Sequence, residues 1–279
     1  MTTTPRHRSP LTYSVLTFAL SIPFWVAGAV IQIQLLPSIP ISALMIVAPA
    51  TAALILVYTE NKSGGVKALL KRSFDFHRVK AKSWWIPTIL LMPGVLILSY
   101  IVMDLMGVQR PNPQFEVTTP LFLFAVFFIA ALGEELGWSG YAIDPLQDRF
   151  GALAAALMLG VVWVVWHLIP LRQVPQSLSF IAWWSLGTLA YRVIITWLYN
   201  NTGKSVFVAS LFHTMINLVF QLFPINGSSL YDPRVTGLIS AAVAIVVVIV
   251  WGPGTLVRTR NARRSDVQEA VSTAQGARR

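Results

Sequence analysis

The chain reads as an all-α membrane protein, a bundle of about eight transmembrane helices with both termini on the cytoplasmic side. Three observations predict this. The 279 residues are 55% hydrophobic and only 11% charged, with a mean hydropathy of +0.65. That balance is too apolar and too poor in charge for an ordinary soluble domain. Eight windows almost free of charge have the length of about 20 residues that a helix needs to cross the hydrocarbon core. Finally, Lys and Arg concentrate in alternate loops. A closed β-barrel, the other spanning solution, would need repeated strands of about 10 alternating residues, and no such pattern recurs.

Residues 1–10 form a short polar cytoplasmic N-terminus, and the first span runs from Leu11 to Ile33. Arg6 and Arg8 would suit a signal peptide, but the apolar run is too long for one and lacks a small-residue cleavage site, so it reads as a retained span. The second span is Ile39 to Thr59. A basic loop from Glu60 to Lys82 follows, in which Val66, Leu69, Leu70 and Phe74 fit an amphipathic helix on the membrane surface, with a solvated loop as the alternative. The third span, Ser83 to Met103, begins at Trp84 and Trp85, which suit an interfacial belt. Spans four to eight are Leu121 to Gly140, Gly151 to Ile169, Leu178 to Tyr199, Ser205 to Phe223 and Val235 to Trp251. No composition shift or internal repeat divides residues 11–257, which read as one polytopic domain. Residues 258–279, rich in Arg, Ala and Ser, read as a disordered basic cytoplasmic tail.

Eight spans force the loops to alternate sides, and 17 of the 21 Lys and Arg residues then fall inside. Arg110, Arg172 and Arg234 fall outside, and Arg192 lies within a span. Adding or removing one span would exchange the sides of every later loop and blur the bias. The net charge of +10 is accordingly an orientation and lipid-surface signal, attracting anionic head groups, and not a nucleic-acid footprint. With no Cys there is no disulfide and no thiolate nucleophile or metal ligand. The partners expected are the lipid bilayer and a peptide or membrane-protein substrate, with the cell (plasma) membrane as location if the chain is bacterial.

A charged side chain near the bilayer centre costs about 2.5 to 3.5 kcal/mol on the insertion scale, so each one needs a reason. Few occur. Glu134 and Glu135 stand in Gly-Glu-Glu-Leu-Gly-Trp-Ser-Gly-Tyr, His167 in Trp-Val-Val-Trp-His, His213 and Asn217 in Phe-His-Thr-Met-Ile-Asn, and Arg192 in span six. His213 and Asn217 share a helix face, as do Trp163 and His167. Adjacent Glu134 and Glu135 differ by about 100° around the axis, so only one can be central. Two imidazoles, a carboxylate and an amide on three helices can hold a water or a metal ion and take its proton. Each has a plainer reading. A Glu pair near a helix end caps an interface, His167 belongs to an aromatic belt, Asn217 is interhelical glue, and Arg192 snorkels. Depth raises a difficulty: counted from the inner side, His213 lies about 14 Å deep, Glu134 about 10 Å and His167 about 24 Å, which would keep them apart unless helices tilt.

The order Glu-Glu, Trp-x-x-x-His and His-x-x-x-Asn on successive helices resembles the CPBP intramembrane protease family, also called the CAAX protease and bacteriocin-processing or Abi family. The resemblance covers about residues 121–223. It implies a glutamate-dependent, membrane-embedded peptidase: Glu134 as general base, His167 and His213 binding water or metal and stabilising developing charge, Asn217 donating a hydrogen bond, and Glu135 in support. It also implies a possible metalloprotease centre in which His167, His213 and Glu134 hold a divalent ion, zinc first. The family's first motif usually ends in Arg five residues after the first Glu, where this chain has Ser139, and its second commonly opens with Phe, where this chain has Trp163. Arg192, at about the depth of Glu134, is a candidate substitute for the missing cation. The bundle would enclose a cavity open to the cytoplasm or laterally to lipid. Two other classes stay open: a non-catalytic immunity or scaffold member of the same fold, kept alive by Ser139, and a proton-coupled transporter, which would show a continuous polar path across the bilayer.

Overall fold

In lipid a segment must satisfy its own backbone hydrogen bonds, and the apolar runs accordingly form helices. The computed structural model describes residues 8–109, 118–222 and 231–258. Within them lie α1 (Pro10–Val30), α2 (Val47–Lys71), α3 (Trp85–Leu105), α4 (Thr118–Gly137), α5 (Ile143–Phe150), α6 (Ala152–Arg172), α7 (Leu178–Asn201), α8 (Val206–Leu222) and α9 (Pro233–Trp251). The one sheet among these residues is a small antiparallel pair between α1 and α2, β1 (Gln34–Leu36) and β2 (Ile39–Pro40), with Leu36 opposite Ile39. The expected tail beyond Arg258, and Arg110 and Glu116, lie outside the described residues. The protein is a multi-pass helical membrane bundle. Seven helical stretches are long and apolar enough to cross a membrane, and α8, at 17 residues, is shorter.

The second helix runs on through part of the basic loop. Lys62, at φ 56 and ψ −155, breaks it, and 63–71 form a separate short helix. Leu69 is buried there and Leu70 exposed, while Phe74, also exposed, lies in the segment that follows. A 3₁₀ segment, Arg72–Arg78, then carries Asp75 under the start of α8. Its carboxylate accepts the Ser205 hydroxyl at 2.8 Å and the Val206 and Phe207 backbone N–H groups at 3.3 and 3.0 Å. Helix N-termini carry orphan donors and a partial positive charge, so this cap lets α8 begin inside the protein.

The fourth span departs from expectation. It does not stop near Gly140 but passes through a π-helical turn, Trp138–Ala142, and continues as α5 to Phe150. Counted from Phe150, Glu134 is about 24 Å deep, close to the value of about 22 Å for His167 counted from Ala152. The apparent mismatch of levels came from ending the fourth span near Gly140, where the helical stretch continues to Phe150.

Glycines set the position of α4. A Cβ on Gly133 would lie 2.8 Å from the Ile46 carbonyl oxygen, and one on Gly137 would lie 2.5 Å from that of Pro49 and strike the Tyr13 hydroxyl. This small-x-x-x-small face lets α4 approach the second helix closely, with both glutamates held between the two glycines.

Arg8 and Arg72 both donate to the Gly140 carbonyl, Arg78 donates to that of Gly203, and the Ala152 N–H donates to Gly254. The start of α1, the basic loop, the α5–α6 and α7–α8 junctions and the end of α9 therefore meet at one end of the bundle. The first and last described residues share this basic end, as an even number of crossings requires.

Candidate active site

The π-helical turn after Gly137 brings Trp138 beneath the glutamates. The Trp138 and Trp163 indole N–H groups, at 3.3 and 2.8 Å, both donate to Oε2 of Glu134. One carboxylate oxygen is thus fixed by two donors. The other, Oε1, lies 4.0 Å from Nε2 of His213.

Glu135 points away into the helix packing and is fully buried. Its Oε2 accepts from Ser139 at 2.5 Å and from Arg192 Nη1 at 3.0 Å, and its Oε1 lies 3.1 Å from Nδ1 of His213. A carboxylate paired with guanidinium can only accept, so His213 donates from Nδ1 to Glu135 and turns its Nε2 toward Glu134. Arg192 is 1% exposed, and its guanidinium carbon stands 4.3 Å from the centre of the Trp163 ring. The cation that the family motif usually supplies on the first helix thus reaches Glu135 from α7, beside the Ser139 hydroxyl. The ion pair, the hydroxyl and the cation–π contact oppose the cost of burying both charges, while Nε and Nη2 of Arg192 have no hydrogen-bond partner among the described residues.

Glu134, His167, His213 and Asn217 line one cavity of about 510 Å³, and Glu135 does not. Of the two adjacent glutamates, Glu134 is the one at the cavity. The His167 Nδ1 lies 2.9 Å from the Trp163 carbonyl oxygen, leaving Nε2 to the cavity side. Its ring is packed by Trp163, Trp166 and Trp184 at centroid distances of 5.6, 4.8 and 5.4 Å. Trp163 also meets His213 edge-on at 5.1 Å, so one indole orders both imidazoles and Glu134.

The cavity rises from these residues to the β1–β2 end of the bundle, where Ser38, Gln176 and Pro233 line it. Leu44 and Phe122 line it as well and are 42% and 67% exposed, so it also reaches the lateral surface. On the basic side of Glu134, Trp138 is buried and does not line the cavity; it packs edge-on against Tyr13 and Trp166 at 5.4 and 5.6 Å. Lateral access fits the sequence expectation. Opening toward the basic, cytoplasm-assigned end does not, because the π turn keeps aromatic rings beneath the glutamates.

Among the described residues, no three His, Asp or Glu side chains come together as ligands for a metal ion. His213 is turned to Glu135 through one nitrogen, and Glu134 spends one oxygen on two indoles. The expected zinc set of His167, His213 and Glu134 is not assembled as a ligand cluster, and no chemical step is derived through a metal.

Two features escaped the sequence reading. Tryptophan counts as apolar in a hydropathy window, which hid Trp138 and Trp163 as donors, although both lie four residues from a marked polar residue. Asp75 was not singled out at all, and its being the lone Asp of the basic loop was the available signal.

Comparison with known proteins agrees with the motifs. The family model described as Rce1-like, "Type II CAAX prenyl endopeptidase Rce1-like", matches residues 116–219. A CAAX prenyl protease 2 of Methanococcus maripaludis is 29% identical, over 85% of this chain and 93% of that protein. Both findings bear out the resemblance to the CPBP family.

Proposed function

We propose that this Rce1-like chain of the CPBP family is an intramembrane endopeptidase in which Glu134 activates a water molecule against a peptide bond of a membrane-proximal substrate. The observation that carries the reading is the pairing of Glu134 Oε1 with His213 Nε2 at 4.0 Å on the wall of a cavity inside the bundle. A water bridging two acceptors at that separation with legs of about 2.8 Å subtends about 90°, within reach of its two hydrogens. Its oxygen lone pair then faces the cavity.

In the proposed reaction the water oxygen attacks the scissile carbonyl and Glu134 takes the proton released. Collapse of the tetrahedral intermediate breaks the C–N bond, and Glu134 returns that proton to the leaving amine. Asn217 donates to the oxyanion, and His167 lines the same wall. Trp138 and Trp163 hold the Glu134 carboxylate in one orientation. Glu135, Arg192 and Ser139 are positioning residues, since they set the His213 tautomer without reaching the cavity.

The buried packing of Trp138 against Tyr13 and Trp166 supports hydrolysis over transport, because a transporter needs a polar path continuing past these rings to the basic end. Arg192 at Glu135 supports an intact catalytic layer over a non-catalytic relative. The substrate we propose follows the name of the archaeal relative, a CAAX prenyl protease: a prenylated C-terminal CAAX segment, whose lipid would lie along the apolar cavity wall.

The test is cleavage of a farnesylated C-terminal peptide by the purified chain in lipid. Wild type is expected to release the C-terminal fragment and Glu134→Gln to be at least 100-fold slower, on the order of what general-base catalysis contributes. Activity should persist after exhaustive chelation. Equal rates for the two chains would overturn the role of Glu134, and loss on chelation with recovery on adding zinc would restore the metal expectation.

A further inference from the structure

His213, Asn217 and Gln221 follow one another at four-residue spacing on α8, and all three line the cavity. The first two belong to the chemistry above. Gln221 does not: it is 4% exposed, and its Nε2 is one of several buried side-chain polar atoms with no hydrogen-bond partner among the described residues, here on a residue that lines the cavity. An amide donor sealed from water without a partner costs about 1 to 3 kcal/mol. Native structures keep very few such groups, and an apolar residue of similar size would be cheaper here. A donor waiting in the wall of a substrate cavity has a use once an acceptor enters.

We propose that Gln221 anchors the substrate by donating its side-chain N–H to a substrate oxygen, either a backbone carbonyl or a terminal carboxylate. This rests on reading the cavity as a peptidase site. Eight helical residues place Gln221 about 12 Å from His213 along α8. An extended peptide advances about 3.3 Å per residue, so the bound oxygen lies three to four residues from the scissile bond. Asn217, about 6 Å along the same ridge, lies between them. The ridge thus sets a distance between the reacting carbonyl and a fixed point on the substrate, and the segment that spans it is favoured.

Binding and turnover separate this inference from the activity itself. Farnesylated peptides would be prepared with three residues beyond the prenylated Cys, as the free acid and as the C-terminal amide. Their Kd would be measured for the full chain in proteoliposomes carrying Glu134→Gln, with and without Gln221→Leu. The free-acid Kd is expected to rise about 5- to 30-fold with Gln221→Leu, the range of one hydrogen bond to a neutral or charged acceptor. If the amide peptide binds weakly and is indifferent to Gln221→Leu, the anchor is the terminal carboxylate. If acid and amide weaken alike, it is a backbone carbonyl. In the cleavage-competent chain, Gln221→Leu should raise KM by the same factor and leave kcat within about twofold, which a merely structural role would not do. Gln221→Glu, which removes the donor while keeping the polarity, should weaken binding as well. Unchanged Kd in both Gln221 variants, or no saturable binding of either peptide, would overturn the proposal. Binding without any cleavage by wild type would overturn the peptidase reading and leave the anchor standing.

Discussion

At the scale of single residues, the layer beneath the cavity turns on one charge balance. Glu135 is fully buried and has Arg192 as its cation at 3.0 Å. Removing one partner of such a pair strands the other, at a cost of about 3 to 5 kcal/mol. Arg192→Gln is therefore expected to lower the thermal unfolding temperature in detergent and to abolish most activity. Adding Ser139→Arg to that variant should recover part of both, because it returns a cation to Glu135 from four residues along its own helix. A double variant as unstable as Arg192→Gln alone would show that Arg192 acts otherwise. Glu134, Glu135, His167, His213, Asn217 and Arg192 were all legible in the sequence, since a polar residue in an apolar run is conspicuous. What could not be read was which glutamate faces the cavity. That depends on the rotation of α4, which Gly133 and Gly137 set against the second helix.

The existence of the helices followed directly from apolar length, and their ends did not. A π-helical turn has no hydropathy signature, so the run from Trp138 to Phe150 looked like a span end followed by a loop. The start of α8 depends on a residue 130 positions earlier, Asp75, which holds the Ser205 hydroxyl. Such a cap is invisible to any local pattern. Asp75→Ala removes three accepted hydrogen bonds and leaves two orphan N–H groups in the protein interior, with an expected destabilisation of about 1 to 2 kcal/mol. Because α8 also carries His213, activity should fall by more than the loss of folded protein accounts for. Asp75→Asn, which keeps an acceptor for the cap, should retain much of both. Equal behaviour of the Ala and Asn variants would argue against capping as the cause.

For the whole molecule, the even number of crossings and the clustering of Arg8, Arg72, Arg78 and Lys204 at one end agree with the charge bias. If the basic end is cytoplasmic, the cavity opens to the opposite side and to lipid. The chain has no Cys, so single substitutions give a clean reading of sidedness. In intact cells, Ser38→Cys at the cavity mouth should react with a membrane-impermeant maleimide, while Lys67→Cys on the basic loop should react only after permeabilisation. The reverse pattern would invert the orientation and present the cavity to the cytoplasm.

The central claim is that Glu134 takes a proton from water during peptide hydrolysis. It is tested most directly by expressing wild type and Glu134→Gln in matched membranes and comparing new peptide termini by mass spectrometry, since Gln keeps the shape and cannot act as base. The account predicts a set of termini present only with wild type, sharing one cleavage position near the membrane. Identical sets, with both proteins folded and equally abundant, would contradict it.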